Sequence, residues 1–79
     1  HLLLGRIYLR TGRLTDATEA LEISVWSRDS AAAHAVLGEV YLRAKDRARA
    51  RAELQKALQL DPQSAEARQL AGRIEGKQR

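Results

Sequence analysis

The chain has 79 residues, a formal net charge of +4 and no cysteine. Without cysteine it forms no disulfide, cysteine-ligated zinc site or thiol nucleophile, and it suits a reducing or an oxidising compartment equally. No run of about 18 apolar residues and no signal-peptide pattern is present, so we expect a soluble chain whose compartment is unknown. A chain of this length has room for one domain.

The predicted helices are delimited by turn and capping residues. Gly12 suits a helix C-terminus because glycine tolerates positive φ. Asp29 or Ser30 can cap the third helix, and Ser64 can cap the fifth. Pro62 ends the fourth, since the residue before proline avoids helical geometry. The predicted helices cover residues 1–11, 14–26, 31–44, 47–60 and 65–75.

An internal repeat organises these helices. The segments HLLLGRIYLR, HAVLGEVYLR and RQLAGRIEGK align on Gly5, Gly38 and Gly72, which lie 33 and 34 residues apart. A repeat of this period indicates stacked units, each of which buries its apolar face only against its neighbours. Three helical glycines in one register also need a packing reason, because glycine in a helix costs about 1 kcal/mol relative to alanine.

The central unit carries the fullest pattern, which is His34-x2-Leu37-Gly38-x2-Tyr41, Ala50-x3-Leu54, Ala57 and Pro62. It resembles the tetratricopeptide repeat, a helix-turn-helix module with the pattern W-x2-L-G-x2-Y, A-x3-F and P. The first unit matches as His1-x2-Leu4-Gly5-x2-Tyr8, then Ala17-x3-Leu21 and Ser24. Both units depart from the pattern by placing histidine in the tryptophan position and leucine in the later aromatic position.

The resemblance implies an all-α fold of helix-turn-helix repeats stacked as a short right-handed α-solenoid. It covers residues 1 to about 76, and because the first unit begins within a helix we expect a fragment of a longer protein. The last helix is either a cap that closes the solenoid, which its polar residues favour, or the start of another repeat. The expected units of this single domain are residues 1–29, 30–62 and 63–76, followed by a tail at 77–79.

Small residues are expected where helices approach most closely. In the second unit we predict that Gly38 packs against Ala50 and Ala57. We also predict that Trp26 is buried, because it stands where the short turn after the second helix closes over the third.

Charge is unevenly distributed along the chain. Residues 1–40 hold four arginines and five acidic residues, whereas residues 41–79 hold ten basic and five acidic residues, so the net charges are −1 and +5. The dense basic run at residues 43–51 is scattered around its helix and has no interleaved aromatics, which argues against nucleic acid. Arg47 and Arg51 stand at inward positions, where we predict that one of them pairs with Glu75.

Catalytic and cofactor chemistry finds no support. His1 and His34 occupy equivalent repeat positions and are predicted to be packing residues and not metal ligands. No serine has a histidine at matching helical spacing, and no glycine-rich phosphate-binding motif occurs. We therefore expect no enzyme activity, no catalytic residue, no metal and no cofactor.

The resemblance implies a protein-interaction module, because tetratricopeptide repeats hold a peptide or helix of a partner on a concave face lined by the first helix of each unit. Leu2, Ala35 and Val36 occupy positions of the carboxylate clamp of chaperone-binding members, so an acidic chaperone C-terminus is not the expected ligand. A segment with apolar and polar side chains, such as an amphipathic helix, fits better. The expected lining residues are Leu2, Arg6, Leu9, Arg10, Ala32, Ala35, Glu39, Leu42, Arg43, Glu66, Gln69 and Arg73.

Two alternatives remain open at this point. In the first alternative the chain is a structural spacer within a longer repeat array and has no ligand of its own. In the second it binds an anionic polymer weakly. We also expect self-association through the exposed first helix, involving Leu2, Leu3 and Ile7, because solenoid ends expose apolar surface.

Overall fold

The computed structural model describes residues 1–75, which form five α-helices and no strand. The helices are α1 (Leu2–Arg10), α2 (Leu14–Ser27), α3 (Ala31–Arg43), α4 (Arg47–Leu60) and α5 (Ala65–Glu75). The five predicted helices are confirmed, each within one residue at either end. The expected tail at residues 77–79 lies outside the described residues.

Serine side chains start two of the helices as predicted. Ser30 Oγ accepts a hydrogen bond from the Ala33 amide at 3.1 Å, so Ser30 and not Asp29 caps α3. Ser64 Oγ accepts from the Ala67 amide at 3.2 Å at the start of α5. These bonds satisfy amides that have no partner within their own helix.

The same turn joins the two helices of each unit. Gly12 follows α1 with φ +80°, and 33 residues later Lys45 follows α3 with φ +67°. The Gly12 amide donates to the Leu9 carbonyl at 3.1 Å, and the Lys45 amide donates to the Leu42 carbonyl at 3.0 Å. This pattern, known as the Schellman motif, turns the chain back on itself, so the helices of a unit pack side by side.

Helix α3 lies at the centre of the molecule and packs against the other four helices. Its first turns, from Ala33 to Gly38, are buried without interruption. The core on one side of α3 joins it to α1 and α2, and the core on the other side joins it to α4 and α5. The buried residues of the first of these cores are Leu9, Ala17, Leu21, Val36, Leu37 and Val40.

The absence of a side chain at Gly38 allows a close helix approach. A Cβ atom added there would lie 2.5 Å from a Leu70 methyl carbon and 3.3 Å from the Ala50 carbonyl oxygen. The predicted approach to Ala50 is therefore confirmed. No atom of Ala57 is among the three closest to that position, and Ala57 packs in a cluster with Ala35 and Ala67, so its predicted contact with Gly38 stays a prediction.

The prediction that Trp26 is buried is wrong. Its side chain is 90% exposed on the outer surface of α2. Helix α3 packs against the opposite side of α2, where Ala17 and Leu21 are fully buried. Trp26 borders a surface hollow together with Asp29 and His34, but neither residue covers its side chain.

The predicted pairing of Glu75 with Arg47 or Arg51 is also wrong, since no such ion pair occurs among residues 1–75. Arg47 instead donates a hydrogen bond to the backbone carbonyl of Ile74. The last carbonyls of a helix lack intrahelical partners and carry partial negative charge, so they attract a cation as a carboxylate does.

Candidate functional site

A groove runs across the face formed by α1, α3 and α5, which are the first helices of successive units. Nine of the twelve residues expected on the concave face line this groove. Val36 also lines it. The complete lining is Arg6, Leu9, Arg10, Ala35, Val36, Glu39, Arg43, Glu66, Gln69 and Arg73.

Three of the expected residues lie outside the groove. Leu2 packs against the core formed by α1, α2 and α3, and Leu42 packs against the core between α4 and α5. Ala32 is half-buried and does not line the groove. Val36 was not among the expected lining residues. Its correspondence to a clamp position of the family is the signal that could have identified it.

The floor of the groove is apolar and consists of core residues. Leu9, Ala35 and Val36 are all buried, so they present only a small surface to the groove. Since the floor is closed by packed side chains, the groove is a shallow trough and not a cavity. Such a surface suits the apolar side of an extended or helical segment.

Ion pairs define the walls of the groove. Arg6 of α1 lies 3.4 Å from Glu66 of α5, and this pair crosses the groove between its first and last helices. Glu39 of α3 interacts with Arg43 at 3.6 Å and with Arg73 of α5. Both acids of the groove are therefore held by arginines.

Positive charge is in excess within the groove. Four arginines and two glutamates line it, which gives a net charge of +2. Arg10 forms no ion pair with any residue among 1–75, so its guanidinium is available to an acidic group. The basic run at residues 43–51 forms no stripe, since Arg43 lines the groove, Arg47 reaches α5 and Arg49 lies over the Tyr41 ring.

His34 has a buried polar environment that the sequence did not predict. Its Nδ1 lies 2.6 Å from Glu53 and its Nε2 lies 2.5 Å from Asp29. The prediction of a packing role holds for His34, which is 5% exposed, but not for His1, which is exposed. The two carboxylates lie at opposite ring nitrogens, so the three side chains do not converge on a point where an ion could sit. Within residues 1–75, no group of side chains is arranged to hold a metal.

The comparison with protein families agrees with this geometry. The family model described as tetratricopeptide repeat matches residues 2–65, and the chain belongs to this family. No curated protein and no solved structure was found to match the chain. In residues 1–75, no helix has the length and apolar character required to cross a membrane.

Proposed function

We propose that the groove between α1, α3 and α5 binds a segment of another protein. Repeats of this family are generally protein-interaction modules. The observation that carries the proposal is the combination of a buried apolar floor with an excess of arginine on the walls. No catalytic residue contributes to the proposed role.

The favoured ligand is a segment with apolar side chains on one side and acidic side chains on the other. Leu9 and Val36 receive the apolar side, whereas Arg10 pairs with an acidic group. Among residues 1–75, Arg6 is held only by its exposed ion pair with Glu66, and such pairs contribute about 0 to 1 kcal/mol. It can therefore exchange Glu66 for a carboxylate of the ligand at low cost.

Binding is tested with two fluorescent amphipathic peptides that share one leucine face and differ only in carrying glutamate or lysine on the other face. We expect the glutamate peptide to bind and the lysine peptide not to bind. Arg10→Glu should weaken binding by about tenfold or more. Arg68→Glu, which makes the same change of charge on the exposed surface of α5 outside the groove, is the matched control and should leave binding unchanged.

A role as a spacer that stacks on further repeats or copies is the second candidate, and the exposed side of α1 favours it. Leu3 is 71% exposed and Ile7 is 46% exposed, whereas Leu2 points into the core. If copies stack through α1, as this second candidate requires, Leu3→Glu would prevent self-association while leaving peptide binding intact. Weak binding of an anionic polymer is distinguished by a titration with heparin, in which affinity would fall steeply with salt.

A further inference from the structure

The outer face of α2 is apolar and acidic. We define this face by Glu19, Glu22, Ile23 and Trp26, which are all exposed. Trp26 is 90% exposed and Ile23 is 46% exposed. The whole of α2 contains three acidic residues and no lysine or arginine, so its net charge is −3.

The repeat fold itself does not require these apolar residues. In the second unit, 33 residues later, Lys56 stands in place of Ile23 and Gln59 stands in place of Trp26. Helix α4 packs normally with both polar residues exposed. Trp26 also borders a shallow hollow with His34 and Lys56 of the second unit, but its side chain stays 90% exposed, so the second unit does not cover it.

The acidic residues of the α2 outer face also lack partners within the described chain. Among residues 1–75, neither Glu19 nor Glu22 forms an ion pair, although Asp16 on the same helix pairs with Arg13 at 2.7 Å. Two unpaired carboxylates beside a large exposed aromatic ring form a surface suited to a partner with cations and small side chains.

Helix α4 of the same chain presents such a surface. Its outer face, which we define by Ala48, Arg51, Ala52 and Gln55, is exposed throughout. Four basic residues and one acidic residue give α4 a net charge of +3. Arg51 forms no ion pair among residues 1–75, and the alanines leave room for a bulky ring beside it.

We infer that a second copy of this chain docks here, with the α2 outer face of each copy packed on the α4 outer face of the other. In a two-fold assembly every contact is made twice, so the acidic α2 meets the basic α4 in both directions. Trp26 and Ile23 lie against the exposed alanines, and Glu19 and Glu22 lie opposite Arg51. Pairing of α2 with α2 is disfavoured, because it would bring like charges together.

Because none of these residues lines the concave groove, the dimer and the proposed peptide binding are independent. The chain contains one tryptophan, so Trp26 fluorescence reports directly on the interface. In sedimentation velocity from micromolar to millimolar protein, we expect a monomer–dimer equilibrium. The fluorescence emission should shift to shorter wavelength over the same concentration range. A chain that remains monomeric throughout, or that dimerises with no change in emission, overturns the inference.

Charge reversal provides the decisive arm of the experiment. The variants E19K/E22K and R51E/Q55E change only exposed residues, and circular dichroism should confirm that both remain helical. Each variant alone should dimerise at least about tenfold more weakly, whereas an equimolar mixture should form a heterodimer, because both α2–α4 contacts are then complementary again. Two weakened variants that do not rescue each other contradict the proposed pairing.

Leu3→Glu is the control that separates this interface from association through α1. It should leave the dimer unchanged. If Leu3→Glu dissociates the dimer while E19K/E22K does not, the copies meet through α1 and the inference is wrong.

Discussion

His34 Nδ1 lies 2.6 Å from Glu53 Oε1, so a buried imidazole of α3 is hydrogen-bonded to a buried carboxylate of α4. In the first unit the corresponding positions are His1 and Ala20, which make no such bond. The two units share a fold, but only the second has its helices joined by this polar contact.

Glu53→Ala should lower the free energy of unfolding by about 1 to 3 kcal/mol, because it leaves a ring nitrogen of His34 buried without its partner. Urea denaturation measures this loss. The same substitution in a His34→Ala background should cost clearly less. His1→Ala, at the equivalent exposed position, is the control and should change stability by less than about 0.5 kcal/mol. Equal costs of Glu53→Ala in both backgrounds would show that the two side chains are not coupled.

Gly38→Leu should destabilise the protein by about 1 to 3 kcal/mol or more, because the new side chain would overlap Leu70 and approach the Ala50 carbonyl. Gly72→Leu is the matched control, since a Cβ atom at Gly72 meets nothing within 4 Å. There the gain in helix propensity should stabilise the protein by up to about 1 kcal/mol. Equal urea midpoints for the two variants would contradict the close approach at Gly38.

Lys45→Gly should stabilise the protein by about 1 kcal/mol, because a residue with a side chain pays an energetic penalty at positive φ that glycine avoids. The chain offers its own comparison, since Gly12 occupies the equivalent turn with φ +80°. Gly12→Lys should therefore destabilise by a similar amount. Thermal unfolding of the two variants should show shifts of the melting temperature in opposite directions. Shifts of the same sign would contradict the equivalence of the two turns.

Arg47→Ala should loosen the end of α5, because it removes the hydrogen bond to the Ile74 carbonyl. We expect faster amide hydrogen exchange in α5 and a loss of at most about 1 to 2 kcal/mol, since the guanidinium is partly exposed. Arg51→Ala is the control, because Arg51 makes no hydrogen bond or ion pair among residues 1–75. Exchange in α5 that responds equally to both variants would refute a specific role of Arg47.

The stability of the protein should fall at alkaline pH partly through Tyr41. Burial raises the pKa of its phenol, and the negative charge of Glu22 raises this pKa further. The unfolded chain then releases the phenolic proton first, so the free energy of unfolding decreases as the pH rises above about 10. Tyr41→Phe should reduce this decrease, as measured by urea denaturation at several pH values, whereas Tyr8→Phe serves as the control. Equal slopes for Tyr41→Phe and the parent would show that Tyr41 makes no contribution.

Local sequence signals were sufficient to predict the five helices. Ser30, Ser64 and Pro62 mark helix ends because their effect is confined to one turn of the chain. The repeat register predicted the residues that line the concave face, because equivalent positions in stacked units face the same way, and their role in binding stays a prediction.

Contacts between distant residues were harder to predict. Trp26 is different, because the helical spacing of Ala17 and Leu21 already places it on the side of α2 opposite the buried residues. The acceptor of Arg47 is a backbone carbonyl, which every residue possesses, so no side-chain pattern could single out Ile74. The bond between His34 and Glu53 spans 19 residues without a local motif, and only the change from Ala20 to Glu53 between the units hinted at it.

The ion pair between Arg6 and Glu66 has a mechanical consequence. Among residues 1–75 it is the only ion pair that joins α1 to α5, and the two helices make no backbone approach of their own. The distance between α1 and α5 therefore depends on how each helix packs against α3. The exposed ion pair adds only a weak restraint across the groove. Salt weakens this restraint, because it screens exposed charges over a distance of about 8 to 10 Å. A carboxylate of the ligand that pairs with Arg6 in place of Glu66 also removes this restraint. Binding of an acidic segment would then allow α1 and α5 to move apart around it.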